Sequence, residues 1–231
     1  MSTCKLREYL EQSRTNANKD LVEKHPAIPE LLQQIDKYLE SLVAYTLNKV
    51  VADEKDKQRM PLTVSFIRTE LIINDLLLNC ENTEAAILLR KQIETFIRYE
   101  EIAQGQKFTK TPQLKYLKYS ELKPIYGRLS EIAHNSKDSA YKLLGYEEST
   151  DDSTPTVVNL FCVYDELLIE TIEYHCIVFK HFMEEMHLYQ GHLDRTYSVE
   201  NENGWLMNEF IPVGKKTSLK CFNAPNGVFY K

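Results

Sequence analysis

The sequence predicts an all-α bundle of five or more helices over residues 1–190, followed by a small β-hairpin-containing appendage over residues 191–231. Three observations carry that prediction. Only 7 Gly and 8 Pro interrupt 231 residues, too few punctuators for a many-stranded sandwich or barrel. Apolar residues recur at three- and four-residue steps in long runs, the period of a helix with one buried face. An apolar content of 43% beside a charged content of 27% excludes wholesale disorder and fibrous repeats.

The elements follow in order. Residues 4–18 read as a short helix, and Pro26 and Pro29 then punctuate the chain. Pro29 suits a first helical turn, and Leu32, Ile35, Leu39, Leu42, Val43, Thr46 and Val50 trace one buried stripe as far as about Val51, before the charged run Asp53–Lys57. A third helix over about 62–80 carries the apolar run Leu71–Leu78, which reads as central to a bundle. Ser65, Arg68, Asp75 and Asn79 share its polar stripe, so Asp75 reads as an edge residue and not as a buried acid. The fourth, about 84–104, sets Ala86, Leu89, Ile93, Phe96 and Ile97 inward and Arg90, Glu94 and Arg98 along the flank. A helix from about Pro124 to Asn135 comes next, then an acidic surface loop, Glu147–Ser153, then a long helix over about 157–189. Past Gly191, Asn203-Gly204 and Asn226-Gly227 are turn signals. Trp205–Val213 and Ser218–Phe222 flank a turn at Gly214–Lys216, the pattern of a hairpin.

The opening residues are charged where a secretion signal would be apolar, and no stretch approaches the roughly 18 apolar residues of a membrane span. The five cysteines, Cys4, Cys80, Cys162, Cys176 and Cys221, are odd in number, scattered, and without a Cys-x-x-Cys pair. The expectation is a cytoplasmic protein with reduced thiols and no membrane partner. A net charge of −6 argues against coating nucleic acid or an anionic membrane with the whole surface.

One region runs against that balance. Between Gly105 and Arg128 the net charge is +5, leaving −11 for the remainder. Lys107, Lys110, Lys115 and Lys118 are interleaved with Phe108, Tyr116 and Tyr119, and cations beside aromatic faces are the groups that hold single-stranded nucleic acid. The other reading is a short connector whose lysines are solvated and whose tyrosines cover the bundle. Directly after it, the helix Tyr126-Gly-Arg-Leu-Ser-Glu-Ile-Ala-His-Asn135 buries Ile125, Leu129, Ile132 and Ala133. Gly127, Arg128, Glu131 and His134 then fall on its non-core side. A cation, a carboxylate and an imidazole beside a residue without a side chain let a ligand or a second subunit approach closely. At the last helical turn the carbonyl ends favour imidazolium, which makes His134 a usable acid–base group.

These residues also resemble something known. Ala85-Ala-Ile-Leu-Leu-Arg-Lys-Gln-Ile-Glu-Thr-Phe-Ile-Arg98, followed by Tyr126-Gly-Arg-Leu-Ser-Glu-Ile-Ala-His-Asn-Ser136, resembles a set of bacterial helical proteins, and the Arg-to-His spacing is similar to that of the HEPN superfamily. The resemblance covers about residues 60–185; five residues separate Arg128 from His134, where four is the commoner spacing. It implies a helical bundle that forms a homodimer and acts on RNA. Many members are metal-independent endoribonucleases of toxin–antitoxin or phage-defence systems, needing no cofactor. By this likeness Arg128 binds the scissile phosphate, His134 transfers the proton, and Asn135 is an accessory polar group, with Glu131 beside them. The competing expectation is a non-catalytic interaction module that binds a protein partner.

A third class starts from two Glu-x-x-His pairs, Glu131 with His134 and Glu184 with His187, the pattern that holds di-iron centres in four-helix bundles. The helical wheel turns Glu131 and His134 away from the core, against that reading. His175, His181, His187 and His192 step by six, six and five, which does not stack ligands on one face. His175, on the stripe of Leu168 and Thr171, reads as a satisfied core residue.

Overall fold

The computed structural model describes residues 5–47, 53–106, 111–133, 146–147, 157–158, 164–165 and 167–196. Within them lie six α-helices: α1 (Lys5–Lys24), α2 (Ala27–Leu47), α3 (Glu54–Leu78), α4 (Asn82–Ala103), α5 (Leu122–Ala133) and α6 (Leu167–Thr196). A single 3-10 turn, Leu114–Tyr116, precedes α5, and Tyr146–Glu147 pairs antiparallel with Val157–Val158. None of the described helices is long and apolar enough to cross a membrane.

Several boundaries differ from the sequence expectation, each for a local reason. Helix α1 continues past residue 18 to Lys24, because Ala17 and Leu21 extend its buried stripe. The run Asp53–Lys57 opens α3. Asp53 caps it, accepting from the N–H groups of Lys55 at 2.8 Å and Asp56 at 3.3 Å, while Glu54 and Asp56 place negative charge at the positive helix end. Pro61 therefore lies inside a helix that the sequence pattern places after it. The long C-terminal helix begins at Leu167, not near 157. The β-branched pair Val157–Val158 is extended, and Asp165 starts the helix by accepting from the Leu167 N–H at 2.9 Å. That helix passes through Gly191 to Thr196, so the expected boundary at 190 falls within it. Residues 197–231, with the expected hairpin, lie outside the described residues, as does the acidic loop beyond Glu147.

Helix α4 is the centre, packed against α3, α5 and α6. Leu89 and Ile93 of α4, Ile73 and Leu77 of α3, Leu122 and Leu129 of α5 and Ile172 of α6 are fully buried. Each such side chain contributes about 1.5–3 kcal/mol over leaving it in water. Phe66 and Phe182 join α3 to α6 by stacking at 3.8 Å with their planes 5° apart. The run Leu71–Leu78 is not buried all round, since Leu71 and Ile72 are 43% and 50% exposed, while the same helix buries polar Glu70 and Asn74. Asp75 lies on its exposed side, as the polar stripe predicts.

Candidate functional site

Helix α5 is set into the bundle by Leu122, Ile125, Leu129 and Ile132, all buried, which turns its remaining faces as the wheel predicts. The flank carrying Tyr126 and Ser130 meets α4. There Arg90 Nε donates to Ser130 Oγ at 3.1 Å, and Tyr126 donates to Glu94 Oε1 at 2.9 Å, with Arg90 and Glu94 themselves 2.9 Å apart. The flank carrying Arg128 faces α6. Its guanidinium lies 3.5 Å from Glu170 Oε1 and 3.8 Å from Glu131 Oε2, and its side chain is 24% exposed. Between these flanks Gly127 is exposed, and a Cβ built on it would meet nothing within 4 Å.

Arg128 and Glu131 thus come together on the outer side of α5, joined by two α6 residues that sequence reasoning missed. Glu170 supplies the second carboxylate, and Tyr174, four residues on, donates its hydroxyl to Glu170 Oε1. Burial first, and then the Glu170 carboxylate, raise the Tyr174 hydroxyl above the ordinary tyrosine value, so it remains a donor. Burial and Glu170 likewise raise the carboxyl of Glu173. The four-residue spacing of Glu170 and Tyr174 is visible in the sequence; their meeting with Arg128 depends on how α5 packs on α6. His134 and Asn135 lie outside the described residues.

The basic segment is divided. Lys107 and Lys110 lie outside the described residues. Lys115 is exposed, its Nζ 4.8 Å from the centre of the Tyr116 ring, and Tyr116 donates to Gln106 Oε1 at 3.1 Å. Lys118 and Tyr119 reach α6 instead. Lys118 pairs with Glu185 of α6, whose side chain is 8% exposed, and Tyr119 donates to the same carboxylate at 2.7 Å. The Tyr119 ring stacks on His181 at 3.9 Å and meets Phe96 edge-on at 5.6 Å, so a face expected to receive a base already has a protein partner. Burial, then the hydrogen bond to Glu185, push its hydroxyl far above the usual tyrosine range. For this tyrosine the covering of the bundle, the other of the two readings, describes the contacts found. Beside it the Glu100 carboxyl is raised by burial and then by Glu185, with Lys118 and Arg59 opposing.

A second polar group sits at the centre of the bundle. His175 and Glu70 are both fully buried, with Nε2 2.6 Å from Oε1, and Glu70 Oε2 accepts from Gln92 Nε2 at 2.9 Å. His175 Nδ1 has no hydrogen-bond partner, so the expected satisfied core histidine is satisfied on one side of its ring. Nearby, Asn74 donates to Asp36 Oδ1 at 2.6 Å; burial, with Asp75 and Glu70, raises the Asp36 carboxyl while Asn74 and His175 oppose. The di-iron reading finds no convergence. Glu184 and His187 are exposed on α6, Glu131 stands on the outer flank of α5, and no group of three candidate metal ligands occurs among the described residues. No known protein family, curated protein or solved structure matches the chain.

Proposed function

We propose that the chain is a HEPN-like helical protein that acts on RNA, as a metal-independent endoribonuclease whose phosphate-binding group is Arg128 and whose proton-transfer group is His134. One observation supports this most: Arg128 stands on the outer flank of α5, half-buried, next to the open surface of Gly127. The carboxylates of Glu170 and Glu131 lie 3.5 and 3.8 Å from it, and a phosphate offers a guanidinium a shorter, two-pronged geometry. In this reading an imidazole deprotonates a ribose 2′-hydroxyl for attack on the adjacent phosphorus. The guanidinium stabilises the charge that builds on the phosphoryl oxygens, with Asn135 assisting. The protein pairs as a homodimer, which brings two such groups to one cleft, and works in a toxin–antitoxin or phage-defence setting in the cytoplasm. Purified protein should cleave single-stranded RNA in the presence of EDTA. Replacing His134 by Ala should lower the rate about 10²–10⁴-fold, the usual contribution of a general base, with the melting temperature held. Cleavage that persists in that variant, or that needs a divalent ion, ends this reading.

A second reading rests on a different face. Val64, Leu71 and Ile72 of α3 are 40%, 43% and 50% exposed, an apolar edge of the kind that interaction modules present to a protein partner. On that reading no RNA turnover occurs, and Ile72→Asp abolishes co-purification of the partner.

A further inference from the structure

The outer face of α3 carries a pattern that is complementary to itself when reversed. Val64, Arg68, Leu71, Ile72 and Asp75 are all exposed, and at helical spacing they share an arc of roughly 100°, while the other side of α3 packs on α2 and α4. Leu71 and Ile72 stand at the middle of this face. Arg68 lies three residues before the apolar pair and Asp75 three residues after it.

Neither charge is answered inside the protomer. The residues three and four positions away from Arg68 and from Asp75 along α3 are all uncharged, so the helix supplies no ion pair of its own. Among the described residues neither side chain makes a hydrogen bond or an ion pair. Asp75 meets like charge instead: burial raises the carboxyl of Asp36 on α2, and the Asp75 carboxylate adds to the rise. A cation brought to Asp75 relieves that repulsion.

A second copy of the chain answers all of these groups at once. A helix rises about 1.5 Å per residue, so two antiparallel α3 helices related by a two-fold axis between residues 71 and 72 hold Arg68 of each copy level with Asp75 of the other. At the axis the exposed aliphatic surface of Leu71 and Ile72 covers the same surface of the second copy. The contact uses one patch on both subunits, so it closes at two and does not propagate.

We infer that the outer face of α3 is a homodimer interface, in which two copies pair antiparallel about Leu71 and Ile72 and form two reciprocal Arg68–Asp75 ion pairs. This names the partner for the α3 edge of the second reading above and rests on that reading; Arg128 and the α5 face take no part in it.

Sedimentation equilibrium of the full-length protein tests the pairing. The mass should rise with concentration from one 27.0 kDa chain to twice that value, with a midpoint on the order of micromolar, since a contact along one helix is at the small end of specific interfaces. Arg68→Asp and Asp75→Arg each set like charges together at both reciprocal positions, and each should weaken self-association about 10- to 100-fold. Mixed in equal amounts, the two variants should regain a dimer of near-parental affinity, because every contact between positions 68 and 75 then joins opposite charges. Both side chains are exposed, so the melting temperatures should stay near that of the parent. A parent chain still monomeric at about 100 µM overturns the interface, as do single variants that self-associate like the parent or that fail to pair on mixing. A monomer that instead holds a different protein, and loses it on Ile72→Asp, overturns the second copy and leaves the second reading standing.

Discussion

Glu70 and His175 show how far a single side chain can be followed from sequence. The position of His175 on an apolar stripe marks it as a core residue, and the structure buries it completely. Its partner is 105 residues away in the chain and sits in a stretch of α3 where no spacing rule identifies it. The pair is worth more than its appearance as one contact, because either group alone would be a polar group stranded in the core. His175→Leu should therefore cost about 3–5 kcal/mol in urea denaturation, the usual penalty for removing one member of a buried pair. Glu70→Met combined with His175→Leu should cost clearly less than His175→Leu alone, since neither member of the pair is then left stranded and Gln92 Nε2, which loses Glu70, keeps the Phe66 carbonyl oxygen as acceptor. At the α5 face the same limit applies. Arg128 and Glu131 are visible from the wheel, whereas Glu170 and Tyr174 depend on the docking of two helices distant in sequence. Arg128→Ala removes a group that is partly exposed, so it should change stability by less than about 1 kcal/mol. On the proposed function it should nevertheless reduce RNA cleavage about 100-fold or more.

At the level of helices, the apolar period identifies α2, α4 and α5 to within a few residues, because their apolar positions recur at helical spacing between turn residues. It fails where local chemistry competes with period. Pro61 and the charged run before it look like a boundary, yet an aspartate cap and two acids in the first turn begin α3 upstream of the proline. Asp53→Ala should accordingly cost about 1 kcal/mol and increase amide exchange in the first turns of α3, a region that would be indifferent to the change if it were a linker. Near the other end, the valines at 157–158 fit a helical stripe as well as a strand, and only the bridge to Tyr146–Glu147 decides between them. The run Leu71–Leu78 misleads for a simpler reason: continuous apolar sequence does not report which sides have neighbours.

Across the whole molecule, acids drawn partly or wholly out of water give stability a dependence on pH. The folded state raises the carboxyls of Asp36 and Glu100, so between their ordinary values, 3.8 and 4.5, and their folded ones the native state holds more protons than the unfolded chain. Their contribution to stability therefore falls as pH rises through that window. Asp36→Asn keeps an oxygen acceptor for the Asn74 amide and removes the charge. The variant should melt above the parent at neutral pH, with the difference vanishing as pH drops below about 3.8, where both chains are uncharged at this position. Thermal melts at about pH 3 and about pH 7, on either side of that window, compare the two directly.

Gly127 gives the surface an independent control point. Glycine inside a helix weakens it by roughly 0.5–1 kcal/mol relative to alanine, and here no steric crowding demands that sacrifice. Exchanging it for a bulky residue such as tryptophan should leave the bundle standing while planting a wedge beside Arg128, so that a lost activity could be traced to blocked access and not to a damaged scaffold.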